Sequence, residues 1–266
     1  MAGSVHFFDI ASAAQGSLQA WSPNTFRTRL VLNFKRIPYS QSFVSYPDIA
    51  PLLQSLGVPP LENQALPYTL PAIVDSSTGP RHALNDSLPI ALHLDAAFPA
   101  PAHPPLFPTS ASYPLAVAVL ELVTAVTIKQ IPILMPKVPA YLDPRGQEYF
   151  LRTRAERFGK PLAEVAAHGA ELERVWHDVS GGLARLATML RGVPGQSKTG
   201  PFFEGDTPGY ADFLVVAFLA FYARINQDDW EKVMAVGNGE FRSLWNACLP
   251  WVEGQGQDVE WKTASA

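Results

Sequence analysis

The stretch "WSPNTFRTRLVL", Trp21 to Leu32, decides how the first half of the chain is read. Serine then proline ahead of an amphipathic run is a helix start. Ser22 takes the N-cap, Pro23 the first helical position, and Phe26, Leu30 and Phe34 recur at fourfold spacing on one face. Backbone N–H groups at a helix N-terminus have no intrahelical partner, so a hydroxyl among them both caps the helix and is placed to meet an anion. Both roles are expected of Ser22.

Outward from this helix, strand-like runs precede it in "VHFFDI" (Val5–Ile10) and follow it in "YSQSFVSY" (Tyr39–Tyr46). A short helix is expected around "DIAPLLQSL" (Asp48–Leu56). Strands follow in "LPAIVD" (Leu70–Asp75) and "PRHAL" (Pro80–Leu84), joined by a turn at "SSTG" (Ser76–Gly79), and then a helix in "SLPIALHLDAAF" (Ser87–Phe98). This β-α-β-α-β-β-α order predicts a small α/β layer with a mixed sheet over residues 1–98. In "FPAPAHPPLFP" (Phe98–Pro108), Pro99, Pro101, Pro104, Pro105 and Pro108 exclude helix and central strand, so residues 99–111 read as a linker. Beyond it no strand is evident. Leu162, Val165, Gly169, Leu172, Trp176, Val179, Leu183, Leu186 and Leu190 fall at threes and fours, which predicts a helical bundle over 112–266. Pro132, Pro136, Pro139 and Pro144 break its first part into an irregular connection.

The 266 residues are 47% hydrophobic, enough for a sizeable core, and a formal charge of −4 leaves no basic stripe for nucleic acid or anionic lipid. The single cysteine, Cys248, forms no intrachain disulfide, and Met1–Ile10 has no basic segment of a signal peptide; both fit a cytoplasmic protein. Two apolar runs are read as buried helices. Tyr113–Ile128 contains Glu121 and ends at Lys129, and Phe213–Ala223 is well short of the roughly 20 residues a membrane span needs. His6, His82, His93, His103, His168 and His177 show no metal-ligand spacing, so no metal is expected. "GVPGQSKTG" (Gly192–Gly200) has Ser197 where a phosphate loop has glycine and follows a helix, and "GNGEF" (Gly237–Phe241) lacks the third glycine of a dinucleotide site. No nucleotide is expected.

Three places remain that suit one peptide-sized thiol ligand. Ser22 offers a hydroxyl at a helix end. Pro71, if cis, exposes the backbone of Leu70 as a docking edge for an extended peptide. Asp86 and Ser87 open a helix, which ordinary capping explains well and anion capture by Ser87 explains too.

In order and spacing these features resemble the glutathione transferase superfamily over nearly the whole chain. "SPNTFRTRLVLNFKRIPY" (Ser22–Tyr39) resembles the omega-type pattern of Cys-Pro followed by Arg-Thr-Arg-Leu, with Ser22 at the cysteine position. "LPAIVD" resembles the family's cis-proline strand, "NDSLPIALHLDAAFP" its acidic-Ser glutathione motif, and "GDTPGYADFLVVAFL" (Gly205–Leu219) its capping box, with Gly209 where Ser or Thr is usual. The Ser-Pro start, "FVSYPDIAPLLQSLGVPP" (Phe43–Pro60) and the Tyr-Thr-Leu-Pro run are most similar to the fungal etherase-related class, FuA, whose relatives include bacterial lignin β-etherases.

The resemblance implies a thioredoxin-like domain followed by an all-helical domain that contributes a hydrophobic substrate pocket. It implies glutathione as co-substrate, a homodimer, and a small hydrophobic or aromatic second ligand. Ser22 would donate to the glutathione sulfur, with Asn24 an extra donor. Leu70, beside Pro71, would dock the cysteinyl unit by its backbone, Ser87 the γ-glutamyl carboxylate and Asp86 its ammonium. The family often supplies a lysine to the glycyl end, where this chain has only Glu62, Asn63 and Gln64. Trp21, Phe26, Met135, Tyr141 and Phe150 are the expected pocket residues. A free thiol titrates near 8.5, so lowering it by about two units asks for about 2.7 kcal/mol of thiolate preference, within reach of one hydroxyl and one helix end. Serine in place of cysteine removes mixed-disulfide chemistry and leaves transfer to an apolar electrophile or cleavage of an activated aryl ether. The alternative is a non-catalytic protein that binds aromatic compounds.

Overall fold

The computed structural model describes residues 4–62, 66–77 and 82–261. It divides into two units. The first comprises residues 1–105, 142–149 and 251–266, and the second 106–141 and 150–250.

In the first unit, strands β1 (Val5–Ile10), β2 (Tyr39–Val44), β3 (Ala72–Asp75) and β4 (His82–Asn85) alternate with helices α1 (Pro23–Phe34), α2 (Ile49–Ser55) and α3 (Ser87–Ala97) as the sequence predicts. β1 pairs parallel with β2, and β3 runs antiparallel to both β1 and β4. This is the mixed sheet of a thioredoxin-like layer. The turn expected at "SSTG" and the start of "PRHAL" fall partly outside the described residues.

Side chains alternate across the sheet. Phe7, Asp9, Tyr39 and Gln41 meet α1 through Arg29, whose side chain is 0% exposed. Arg29 donates to Asp9 Oδ2 at 2.7 Å, to Gln41 Oε1 at 2.7 Å and to Tyr39 Oη at 3.3 Å, and its guanidinium lies 5.2 Å from the Phe7 ring centre. Lys35, at the end of α1, donates to Asp95 on α3 at 2.6 Å and to the Pro104 carbonyl at 3.0 Å, while His103 Nδ1–H donates to the Lys35 carbonyl at 2.6 Å. These bonds hold α1 and α3 side by side on one face of the sheet.

On the other face His6 shares hydrogen bonds with Ser40 (2.7 Å) and Ser42 (2.9 Å). The Trp261 ring covers both His6, at 4.5 Å between centres, and Phe8, at 5.0 Å. Trp261 follows three residues after a fifth strand, β5 (Gln257–Asp258), which pairs parallel with the outer edge of β2 to give the order β4-β3-β1-β2-β5. The sequence reading assigned everything after residue 112 to a helical domain without strands. A two-residue strand has no periodicity to read, and its pairing with Ser40 and Gln41 more than 200 residues away is what makes it a strand.

The second unit is helical: α4 (Ser112–Lys129), α5 (Ile131–Leu134), α7 (Gly169–Arg191), α8 (Tyr210–Ile225) and α9 (Gln227–Met234), with α6 (Pro144–Phe158) and α10 (Glu240–Glu253) falling mostly within it. Pro132, Pro136 and Pro139 shape α5 and a following 3₁₀ segment, Met135–Tyr141, where the sequence predicted an irregular connection. α8 is the centre, buried without a break from Tyr210 to Tyr222. At its start Asp212 accepts from the Gly209 N–H and the Phe203 N–H, both at 2.8 Å. This is half of a capping box, because a glycine has no side chain to return the bond. α4 packs on α7 and α8, and Val126 meets α7 at Gly182, where a Cβ would stand 2.5 Å from a valine methyl. α4 is long and apolar enough by composition alone to cross a membrane. The expectation that it is a buried helix is corrected: only 28% of it is buried, and Tyr113, Val117 and Ile128 are exposed.

Candidate active site

The register of the sheet explains why distant parts of the sequence share one rim. Phe8 pairs with Ala72, and Ala72 with Asn85, so the carboxyl end of β1, the start of β3 and the end of β4 lie together. Each leads to a predicted site residue. β1 continues through a loop pinned by the Ser12 hydroxyl on the Gln19 carbonyl (3.0 Å) to Ser22 and α1. β3 is entered through Leu70-Pro71, which is cis. β4 exits through Asp86 into α3, and the Asp86 N–H donates to the Pro71 carbonyl at 3.2 Å. Ligand sites form outside the carboxyl ends of parallel strands for this reason: helix N-termini gather there.

Ser22 is 4% exposed and has the extended backbone of an N-cap, φ −69° and ψ 128°. Its carbonyl accepts from the Phe26 N–H at 2.9 Å and the Thr25 hydroxyl at 3.1 Å, but its side chain makes no cap hydrogen bond. The expectation that Ser22 caps α1 through its hydroxyl is therefore corrected. The hydroxyl is spared for another partner, and the first N–H groups of α1 keep their partial positive charge. Asn24 is exposed in the first turn.

Leu70 is buried, and Ala72 is the first residue of the ladder, so Leu70 stands just outside it. Asp86 is exposed with φ +72°, a region that costs a non-glycine residue on the order of 1–3 kcal/mol. It makes no side-chain cap of α3 either. That backbone turns Ser87, 4% exposed, into the first position of α3. Arg27 on α1 brings its Nη1 to 3.5 Å from Ser87 Oγ. The motif quoted from the sequence contains Arg27 but gives it no role, since nothing local links it to a residue 60 positions away.

The pocket residues separate. Trp21 packs beside Tyr46, with ring centres 6.5 Å apart, and Tyr46 stacks on Tyr149 at 6.3 Å and 10°. Tyr46 and Tyr149, which the sequence did not single out, are half-buried. Phe26 is 0% exposed inside the first unit, and Phe150 is 2% exposed in the second with the Arg154 guanidinium 4.2 Å from its ring centre; both are core, not pocket wall. Met135 and Tyr141 are half-buried in the second unit, where burial raises the Tyr141 phenol above its ordinary pKa against the pull of Arg224. A groove of about 840 Å³ in the first unit is lined by Ser42, Val44, Leu52, Asp258 and Trp261 among others, and by none of the predicted glutathione contacts. Asn63 and Gln64, at the expected glycyl end, lie outside the described residues; Glu62 is exposed. Among the described residues no cluster of three or more His, Cys, Asp or Glu could hold a metal. Cys248 is buried, and burial pushes its thiol pKa up.

The glutathione S-transferase N-terminal domain matches residues 21–97 and the C-terminal domain of the same family residues 115–251. The chain belongs to the glutathione S-transferase family. It is 49% identical over 262 residues to the glutathione S-transferase-like protein ustS of Aspergillus flavus, covering 97% of this chain and 94% of that one. Among solved structures it is similar to CsGST63524 of Ceriporiopsis subvermispora, crystallised with glutathione, at a TM-score of 0.83 and 32% identity over 93% of this chain and 97% of that one. It is also similar to GSTFuA3 of Phanerochaete chrysosporium, at 0.82 and 28% over 94% and 98%. The resemblance to the fungal FuA class read from the sequence is thus matched in three dimensions.

Proposed function

We propose that this glutathione transferase binds glutathione along the rim of its first unit, lowers the thiol pKa with Ser22, and transfers the thiolate to hydrophobic aromatic electrophiles or activated aryl ethers. The observation that carries the reading is the Ser22 hydroxyl, held at a helix N-terminus without serving as its cap. A donor and a partial positive charge beside one sulfur together supply the roughly 2.7 kcal/mol that a two-unit shift of the thiol requires. Leu70 backbone would dock the cysteinyl unit, Ser87 the γ-glutamyl carboxylate and Asp86 its ammonium. Asn24 keeps its place as an outer donor. Trp21, next to Ser22 in the chain but 3% exposed, backs the half-buried Tyr46 and Tyr149 rings, which supports a flat aryl group as the second ligand. Met135 and Tyr141 stay in the proposal as contacts to the electrophile. The exposed apolar side chains of α4, Tyr113, Val117 and Ile128, support a homodimer, and the cytoplasm is its proposed location.

The test is a spectroscopic pH titration of bound glutathione beside transfer assays on a panel of aryl electrophiles and β-aryl ethers. The wild type is expected to show thiolate at neutral pH. Ser22→Ala should return the thiol toward its free value with transfer down about 10- to 100-fold, and Ser22→Cys should gain glutathione-disulfide exchange. An unchanged pH profile in Ser22→Ala would remove Ser22 from the mechanism. A second reading, binding of aromatic compounds without turnover, draws on the groove that lies apart from the glutathione contacts. Equal affinity for aryl ligands with and without glutathione, and no transfer to any member of the panel, would favour it.

A further inference from the structure

We infer that the groove beside the outer edge of β2 is a binding site for a small organic cation, an ammonium group carried on an apolar or aryl body. None of the proposed glutathione contacts lines it, so the inference does not depend on the glutathione reading. Its walls are β2, α2 and the C-terminal segment from Asp258 to Trp261, all within the first unit, and its volume of about 840 Å³ suits a small molecule. The C-terminal wall is firmly held. Gln255 Oε1 accepts from Arg29 at 2.9 Å, the Gly256 N–H donates to Gln41 Oε1 at 3.2 Å, and the Val259 N–H donates to the Gln41 carbonyl at 2.9 Å. At Gly256 a Cβ would stand 2.4 Å from the Tyr39 ring, so the segment lies hard against β2. Trp261 ends this wall on His6 and Phe8.

The chemistry of the ligand follows from which protons the walls have left to give. A serine hydroxyl has one and a primary amide has two. Ser42 gives its proton to the Val259 carbonyl, Ser45 to Asp143 Oδ2 at 2.8 Å, and Ser55 to the Leu52 carbonyl at 2.7 Å. The Gln41 amide gives both of its own, to Asp258 Oδ1 at 2.7 Å and Gln255 Oε1 at 3.3 Å. Apart from the Trp261 indole, the polar side chains of the walls therefore meet a ligand with lone pairs. Among the described residues no lysine, arginine or histidine lines the groove, whereas Asp48, Asp258 and Glu260 do. Asp48 is spent on Arg145, whose two nitrogens reach its two oxygens at 2.7 Å. Asp258 and Glu260, both exposed, have no cationic partner among the described residues, and Asp258 uses only Oδ1 on Gln41. Two uncompensated carboxylates among acceptors repel an anion and attract an ammonium, which carries donors alone. Val44, Leu52 and the Trp261 ring supply apolar and aromatic surface for the body that carries it. Glutathione, with its net negative charge, is the wrong sign for this groove, so the two sites select different molecules.

The experiment compares three indoles of similar shape by calorimetry on the full chain at neutral pH and low salt: tryptamine, a cation; tryptophol, which is neutral; and indole-3-propionate, an anion. Tryptamine should bind about 5- to 20-fold more tightly than tryptophol, the range of two exposed carboxylates acting on one charge, and indole-3-propionate more weakly than either. Asp258→Asn combined with Glu260→Gln keeps an acceptor for the Gln41 amide and removes both charges. It should lower tryptamine to the level of tryptophol and leave tryptophol within about twofold of wild type. Added salt should weaken tryptamine and spare tryptophol. Saturating glutathione should leave the tryptamine affinity unchanged. Equal affinity for tryptamine and tryptophol overturns the inference and returns the groove to the neutral aromatic ligands of the second reading. Tryptamine bound as tightly by the double variant as by wild type overturns it by placing the ligand elsewhere, and a wild type that binds none of the three overturns it outright. If the double variant does not fold, Glu260→Gln alone and the wild-type ratio of tryptamine to tryptophol decide. A chain that binds tryptamine as expected but not glutathione overturns the glutathione reading and leaves this one standing.

Discussion

The two units fill their interiors differently, and α1 and α3 of the first begin differently from α8 and α9 of the second, although α4 and α7 also start without a side-chain cap. In the first unit, α1 and α3 start at Ser22 and Asp86 with no side-chain cap, and the interior holds Asp9, Arg29, Lys35 and His6. In the second, α8 is buried over thirteen consecutive residues with Asp212 as its one charge, Asp212 dresses its start, and Asn226 caps α9 by accepting from the Asp229 N–H at 3.0 Å. Bare helix starts leave N–H groups for a ligand, and buried ion pairs hold the two helices that carry them in fixed places. Capped starts and an apolar centre serve stability alone. Of these helices, α1 and α3 are the ones whose starts carry the residues proposed to bind glutathione.

The largest effect should come from breaking the buried charges. Arg29→Met leaves Asp9 uncompensated at 0% exposure and takes donors from Gln41 and Tyr39, so a loss of about 3–5 kcal/mol is expected in denaturant unfolding, with glutathione binding lost alongside stability. If Arg29→Met unfolds near the wild-type midpoint, the ion pair is not what holds α1 to the sheet.

Next comes Asp212 against His6. Asp212→Ala strands the N–H groups of Gly209 and Phe203, for about 2–3 kcal/mol. The two groups also differ in the sign of their pH dependence. Burial pushes the Asp212 carboxyl up to about 7 from an ordinary 3.8, so the folded chain holds that proton more tightly, and its contribution to stability falls as pH rises from about 4 to 7. Burial lowers His6 to about 4 from 6.5, so the folded chain rejects the proton. That contribution is full above 6.5 and is lost as pH falls toward 4. The groups facing His6 are the Ser40 and Ser42 hydroxyls and the Phe8 and Trp261 rings. Unfolding midpoints of wild type, Asp212→Asn and His6→Gln across pH 4–7 should therefore give difference curves of opposite slope. Parallel slopes would remove the distinction between the two interiors.

Much of this was legible before the structure. The alternation in "VHFFDI" and the fourfold spacing of Phe26, Leu30 and Phe34 mark the strand and helix of the first layer, because each signal is local. The candidate site residues were legible as positions, since Ser22, Leu70-Pro71 and Asp86-Ser87 each mark the boundary of an element and the sheet register brings those boundaries to one rim. What could not be read depends on partners far away in sequence. Nothing local marks Arg29 as buried; Asp9 and Gln41 meet it only in the fold, and β5 exists only by pairing with β2. Leu142–Tyr149 joins the first unit through Asp143, which accepts from the Ser45 hydroxyl at 2.8 Å, and through the paired bonds of Arg145 to Asp48 at 2.7 Å, links that no composition announces.

The smallest predicted effect tests the contrast most sharply. Ser22 and Asn226 occupy the same formal position, and by residue preference either cap should be worth about 1 kcal/mol. Only Asn226 has its side-chain oxygen on a helix N–H. Asn226→Ala should therefore lose about 1 kcal/mol in denaturant unfolding, while Ser22→Ala in the protein without ligand should stay within about 0.5 kcal/mol of wild type. Saturating glutathione should then separate the two variants the other way. A ligand that binds only the folded state adds stability in proportion to the logarithm of its concentration over its dissociation constant, so Asn226→Ala should gain as much as wild type. Ser22→Ala should gain less, above all at a pH where wild type holds the thiolate, if the hydroxyl that does nothing for the helix stabilises the sulfur as proposed. A Ser22→Ala loss as large as that of Asn226→Ala without ligand would mean that the hydroxyl turns inward onto α1 in solution, and the distinction between bare and dressed helix starts would fall with it.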